Sequence, residues 1–294
     1  MRNIYSHRVY GIMNIYMAKT FGREVAGVFL RVVAVIISVF LILGIIDAWY
    51  NYEIISDGAC NIAVFPVEGA IMPFTGFEDF PLVTTPQTVR DFVSRAESDF
   101  GIEGLLLEIN SPGGTPVASE QISDIVRSTN LPTVSLIGDM GASGAYLVAA
   151  SADKIIASSM SDVGSIGVTM SYTENSKKNE EEGITFVQLS TGEFKDAGNP
   201  EKPLTEEERK LFEADLELVH KEFVKKVAEM RGKSVDEIEA LADGSSMPGV
   251  RALEKGLIDA IGNRQTARQE FAKILGISED QVVFCEYTGG LLPF

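Results

Sequence analysis

The amino-acid sequence predicts an α/β protein built of βαβ units and preceded by one membrane-crossing helix. Two patterns carry the α/β reading. From residue 61 onward, short apolar runs alternate with amphipathic stretches, as in a strand–helix series. The runs are also almost continuously apolar rather than alternating, which parallel strands need when helical crossovers bury both of their faces. A third observation sets the N-terminus apart: Val32 to Ile46 reads VVAVIISVFLILGII, without a charge.

That apolar run is extended upstream by Ala26 to Leu30, with only Arg31 interrupting. Together the span approaches the ~20 residues that cross a bilayer, and an arginine near one end reaches the headgroups along its aliphatic stem. A core helix of a soluble protein would keep a polar face over such a length. Arg2, Arg8, Lys19, Arg23 and Arg31 stand before the end of the run against Glu24, whereas Asp47, Glu53 and Asp57 follow it. The positive-inside rule then puts the N-terminus in the cytoplasm and the rest outside. A cleaved signal peptide would have a shorter charged region and an A-x-A-like site. A lipid-attachment cysteine at DGAC would lie too far beyond the run, with Asp57 where an apolar residue is wanted. The expected organisation is a cytoplasmic segment (1–25), an anchor (26–47), a juxtamembrane linker (48–60) and one folded domain (61–294).

Within that domain NIAVFPVEG (61–69) reads as a strand, PQTVRDFVSRAESDF (86–100) as a helix and GLLLEIN (104–110) as a buried strand. TPVASEQISDIVRST (115–129) follows as a helix, LPTVSLIGD (131–139) as a strand, then a helix starting at Ser143 and a short strand in ADKIIAS (152–158). The longest helix begins after Thr205, which forms a capping box with Glu208. Its stripe of Phe212, Leu216, Val219, Phe223, Val227 and Met230 recurs at steps of three and four, for core packing or for a subunit interface. There is no internal repeat.

Composition excludes several classes of function. With 42 acidic against 25 basic residues, a net charge of −17 argues against a nucleic-acid groove and against broad contact with anionic lipid. Cys60 and Cys285 lie far apart with no CxxC spacing, so they form neither a zinc site nor a disulfide framework. They read as buried small apolar groups, with their pairing left open. No metal or other cofactor is expected. At 294 residues the chain buries an adequate core without staples.

Chemistry concentrates in GDMGASGAYLVAA (138–150), where glycines and alanines surround Ser143 at a strand-to-helix junction. Glycine there permits a sharp turn and a close substrate approach, and the helix start offers free N–H groups to a developing oxyanion. EINSPGG (108–114) places Gly113 and Gly114 after a buried strand, in the position of a βα loop, where open α/β folds build sites. One N–H from each element would make an oxyanion hole, in which losing one donor typically costs ~100 to 1,000-fold in rate. The usual base for serine is histidine. Of the two histidines, His7 lies across the membrane and His220 falls on a highly charged helix. What remains for acyl transfer is a serine–lysine dyad, whose lysine must be neutral and therefore desolvated to act. Lys195 in STGEFKDAGNP stands out, because it follows the apolar run GITFVQLS and neighbours Phe194, whereas most other lysines sit among charges, although Glu193 and Asp196 lie close to it.

Six segments in order, VFPVEGAI, LLLEINSPGGTPVASEQI, GDMGASGAYLVAASADKIIAS, VGSIGV, STGEFKDAGNPEKPLTEEER and ALEKGLIDAIG, give the chain its resemblance. It resembles the S49 family of Ser-Lys peptidases, in the short form of the signal peptide peptidase type, over roughly residues 61–286 plus the anchor. The resemblance implies a ClpP/crotonase-like spiral of βαβ units, with EKGLIDAIG as a closing signature. It implies Ser143 as nucleophile, Lys195 as general base, Ser165 of GSIGV orienting the lysine, and the Gly114 and Gly144 N–H groups as oxyanion donors. It further implies a homo-oligomeric ring, octameric in size, in which one subunit's lysine can complete its neighbour's site, and substrates that are signal-peptide remnants at the membrane, with small or apolar side chains at the scissile position. Pro248 and Gly249 depart from the regular helix start of relatives, and the family does not account for the basic N-terminal segment. Beside this reading stand a crotonase-type acyl-CoA enzyme, an inactive binding scaffold on the same fold, and the membrane protease that works beside stomatin-like proteins.

Overall fold

The computed structural model describes residues 27–45, 55–56, 58–76 and 82–285. The segment 1–25, the anchor's end residues 26, 46 and 47, and linker residues 48–54 and 57 lie outside the described residues. Helix α1 (Gly27–Ile45) has 19 residues and a mean hydropathy of 2.9. At ~1.5 Å per residue it runs ~28 Å, close to the ~30 Å hydrocarbon layer of a bilayer and within the usual spanning length of about 17–25 residues.

The body is a mixed α/β structure around a mostly parallel sheet. Along the chain run β1 (Ile62–Ile71), β2 (Val83–Thr84), α2 (Pro86–Ser98), β3 (Gly104–Gly114), α3 (Pro116–Ser128), β4 (Thr133–Ala142), α4 (Gly144–Ala150), β5 (Lys154–Ala157) and β6 (Asp162–Gly164). There follow α5 (Ser176–Glu181), α6 (Glu206–Arg231), α7 (Val235–Glu239), β7 (Ser246–Pro248), α8 (Gly249–Glu254), β8 (Ala260–Ile261), α9 (Arg264–Leu275) and β9 (Phe284–Cys285). The strand order is β2-β1-β3-β4-β5-β8, with β6 branching from β4 to pair with β7, and β9 beside β1. All pairs are parallel except β6 with β7.

Burial on both faces accounts for the unbroken apolar strands. Ala63, Phe65 and Val67 of β1 and Leu105, Leu107 and Ile109 of β3 pack with residues of α2, α3, α4 and α6. The residues between them, Ile62, Val64 and Leu106, face Ala267, Phe271 and Ala272 of α9. The period of two thus separates two apolar faces rather than an apolar from a polar one.

Three local features differ from the sequence expectation. β3 does not end at Asn110; it continues through Gly114, after register shifts between Glu68 and Ala70 of β1 and between Ile109 and Ser111 of β3. Buried Ser111 holds the shift, donating its hydroxyl to Gly69 O at 2.6 Å and accepting from Gly113 N at 3.1 Å. The long helix α6 starts with the expected Thr205–Glu208 capping box, yet only its second half, at Phe223, Val224, Val227 and Ala228, enters the core. The third difference is that Cys60 and Cys285 are not separate buried thiols but form a disulfide, with Cα atoms 5.1 Å apart. The 225-residue separation hides it in the sequence, and only the pairing of β9 with β1, Ala63 opposite Cys285, brings the two together.

The residues just before β1 are tied to the body. Asp99 accepts from the N–H groups of Ile55 and Ser56 at 3.0 and 2.9 Å, and the Ser56 hydroxyl donates to Cys60 O at 2.5 Å. Pro248 and Gly249 also have a local reason. Pro248 caps α8, and a Cβ on Gly249 would lie 2.0 Å from Ser158 O, so the chain passes where only glycine fits.

A bridge closing a loop of this length constrains the unfolded chain strongly, typically by ~2–4 kcal/mol. Replacing Cys60 and Cys285 together by serine should lower the urea-unfolding free energy by about that amount, and a reductant should lower wild type to the same value; identical unfolding curves for oxidised, reduced and doubly substituted protein would refute the bridge.

Candidate active site

The site begins where β4 hands over to α4. All seven residues of α4 are buried, and Tyr146 is held by donating its hydroxyl to Leu257 O at 2.8 Å, burial pushing its phenol pKa well above the ordinary range. A helix that must run straight into the interior from the end of a strand needs a sharp turn. That turn is Ser143, at φ 52° and ψ −124°. Among the described residues, Ser143 and Ser165 are the only non-glycine residues with positive φ. Such conformations cost on the order of 1–3 kcal/mol and persist where surroundings enforce them. Here β4 and β6 enforce them, pairing Ala142 with Gly164, while Ser143 N–H donates to Gly164 O at 2.7 Å.

Both glycine-rich elements meet at this turn. A Cβ on Gly113, at φ +94°, would lie only 2.7 Å from Gly144 N and 3.0 Å from Ser143 Cβ, so there is no room for one. A Cβ on Gly114 would lie 1.9 Å from Ile71 O, and one on Gly144 would lie 2.1 Å from the Ser119 hydroxyl and 3.4 Å from Gly114 N. Gly144 is the first residue of α4, so its N–H has no acceptor within the helix. Ser143, Gly114 and Gly144 therefore share one small volume, with both glycine N–H groups close by.

That volume opens into a cavity of about 430 Å³. Ser143, Gly114 and Gly144 line it, with apolar walls from Val117, Leu147, Val168, Leu218, Val219 and Phe223. Glu120, Glu222 and Lys226 supply its charged groups. Among the described residues Lys226 is the one lysine in the cavity lining. The Glu120 carboxylate, 2.9 Å away, holds its pKa above the ordinary lysine value, so it stays protonated and is unsuited to take a proton from serine.

Not all of the predicted residues are brought together. Ser165 follows directly on the strand paired with β4, but its hydroxyl donates to Gly244 O at 3.0 Å rather than to a lysine. Lys195 lies in an irregular stretch outside the cavity lining, exposed, and no hydrogen bond or ion pair to its ammonium is formed among the described residues. His220, on α6, lies 3.9 Å from Glu239 of α7 and is not among the residues lining the cavity. The sequence reading missed Ser119, Glu120 and Lys226. The spacing of Leu218, Glu222 and Lys226 along one helix was the available signal, but it shows only once α3 is known to face α6. Among the described residues no group of three or more His, Cys, Asp or Glu is arranged to hold a metal ion.

Residues 126–278 match the family model described as peptidase family S49. The chain belongs to this family. The matched stretch contains Ser143, Ser165 and Lys195 and begins after Gly114. Relatives include a putative protease, MJ0651, of Methanocaldococcus jannaschii, 35% identical over 189 residues, which cover 64% of this chain and 61% of that protein. A putative signal peptide peptidase SppA of Enterococcus faecium is 31% identical over 65% of this chain and 56% of its own length. Protease 4 of Haemophilus influenzae is 30% identical over 76% of this chain and 36% of its own length. The matches thus span about a third to two thirds of these relatives.

The tight contact at Gly144 makes a specific prediction for this S49 member. Gly144→Ala should abolish activity toward any substrate using the site, by forcing Cβ into the Ser119 hydroxyl; adding Ser119→Gly, which vacates that space, should restore a measurable fraction. Full activity in Gly144→Ala alone, by any turnover assay, would contradict the geometry.

Proposed function

We propose that the protein is a membrane-anchored serine endopeptidase that cleaves peptides left at the outer face of the membrane, signal-peptide remnants among them. The observation that carries this is Ser143, turned out of a buried helix at positive φ beside Gly114 and Gly144, facing an apolar cavity in a chain of family S49. In the proposed reaction the Ser143 hydroxyl attacks the scissile carbonyl while Lys195 takes its proton. The oxyanion is held by the Gly114 and Gly144 N–H groups. Collapse breaks the C–N bond, the lysine returns the proton to the leaving amine, and water then hydrolyses the acyl-enzyme by the same route. The peptide would bind extended, its backbone pairing along the irregular stretch at Gly167 to Thr169, which lines the cavity.

Lys195 is proposed to act on Ser143 of a neighbouring copy. A lysine serves as a base only where it is desolvated, and Lys195 is exposed in the single chain. The run before it carries Val187 and Leu189 at 70% and 93% exposure, apolar surface that a second copy in a ring, octameric by the family resemblance, would cover. Ser165 is then a positioning residue that turns from Gly244 O to the lysine as the ring closes. Helix α1 is the proposed anchor, leaving residues 1–25 in the cytoplasm and the domain from about residue 61 outside. A disulfide joining Cys60 to Cys285 fits an oxidising compartment better than the cytoplasm.

Purified full-length protein in detergent should cleave a fluorogenic peptide, with Ser143→Ala and Lys195→Ala each reducing the rate by at least about 1,000-fold, as for loss of a nucleophile or its base. Mixed assemblies of the two inactive variants should regain activity, since some sites would pair an intact Ser143 with an intact Lys195. Undiminished cleavage by Lys195→Ala would overturn the base, and silence of the mixed assemblies beside an active wild type would place both residues of the dyad in one chain.

A further inference from the structure

The cavity beside Ser143 is not uniformly apolar. On its α3–α6 side Lys226 pairs with Glu120 at 2.9 Å, their side chains 27% and 43% exposed, and Glu222 stands one helical turn before Lys226. Asp124 and Arg127 on α3 also act on Lys226, with opposite signs. Among the described residues Glu222 has only Lys225 as a partner, at 3.7 Å, beyond hydrogen-bonding distance. The lining therefore holds two carboxylates against one ammonium, and that ammonium is already engaged.

We propose that the Glu120–Lys226 pair sets which side chain the cavity accepts, admitting lysine and arginine as well as apolar residues next to the scissile carbonyl and rejecting aspartate and glutamate. The inference rests on the reading of Ser143 as a peptidase nucleophile. A volume of about 430 Å³ lies in the range that holds small-molecule ligands, so a long side chain spans the apolar middle and ends near the charges. Lysine and arginine suit such a path, having apolar stems and charged tips. An arriving cation meets the free acceptor capacity of Glu222 and the second oxygen of Glu120. An arriving carboxylate meets the same two negative charges and can gain Lys226 only by displacing Glu120. The net charge of −17 acts in the same direction over longer range, drawing cationic peptides toward the protein.

A clamp between α3 and α6 with no part in selection would predict something else. Loss of either partner would then slow all substrates alike. The test uses full-length protein in detergent at low salt with three peptides that differ only in Leu, Arg or Glu before the scissile bond. Wild type should prefer Arg to Glu in kcat/KM. Lys226→Gln, which frees Glu120, should raise the Arg-to-Glu ratio by about fivefold, and Glu120→Gln, which frees Lys226, should lower it by about fivefold, the scale of one partly exposed ion pair. The Leu peptide, which brings no charge to the pair, is the reference to which the Arg and Glu rates of each variant are normalised. The same ratios are read independently of turnover from how well each peptide protects Ser143 against a fluorophosphonate label. Ratios that stay fixed or move in the same direction in both variants would overturn the proposal. Absence of labelling that depends on Ser143 would overturn the nucleophile assignment instead.

Discussion

Helix α4 lies wholly inside the molecule, and the rest of the site follows from how the chain gets into it. Its seven residues contact the sheet and the helices on one side of it, and Tyr146 fixes the far end through Leu257 O. Since a buried helix cannot shift without opening the core, the entry turn has little freedom. Ser143 absorbs the mismatch between strand and helix at φ 52°, held there by its hydrogen bond to Gly164 O. The strain is local, and a well-packed core of low compressibility sustains it.

The same constraint decides which residues may surround the turn. Gly113, Gly114 and Gly144 are needed because backbone or side-chain atoms already occupy the positions where their Cβ atoms would stand. Close approach of three backbone segments gathers N–H groups without any side chain. In the proposed reaction a substrate carbonyl entering there would meet groups fixed in advance by packing, which is the condition under which hydrogen bonds to a developing charge are most effective.

Helix α6 divides its work along its length. The C-terminal half packs into the core at Val224 and Val227, and Arg127–Glu229 and Glu120–Lys226 join it to α3. Nearer its N-terminus, Leu218 and Val219 line the cavity while remaining partly exposed. The one helix thereby links the cavity wall to the stretch that carries Lys195, just upstream of it in the chain.

The sequence alone was enough for the strand–helix series, the apolar N-terminal helix, and the pairing of two glycine-rich elements around Ser143. Those are written in local pattern: buried strands are continuously apolar, helices repeat every three to four residues, and glycines mark sharp turns. What it could not specify depends on which distant segments lie side by side. The Cys60–Cys285 bridge needs β9 beside β1, the continuation of β3 through Gly114 needs its register shifts, and the charged end of the cavity needs α3 against α6. Each arises from contacts between residues far apart in the chain, and only packing of the whole sheet and its helices selects among the pairings that local pattern permits.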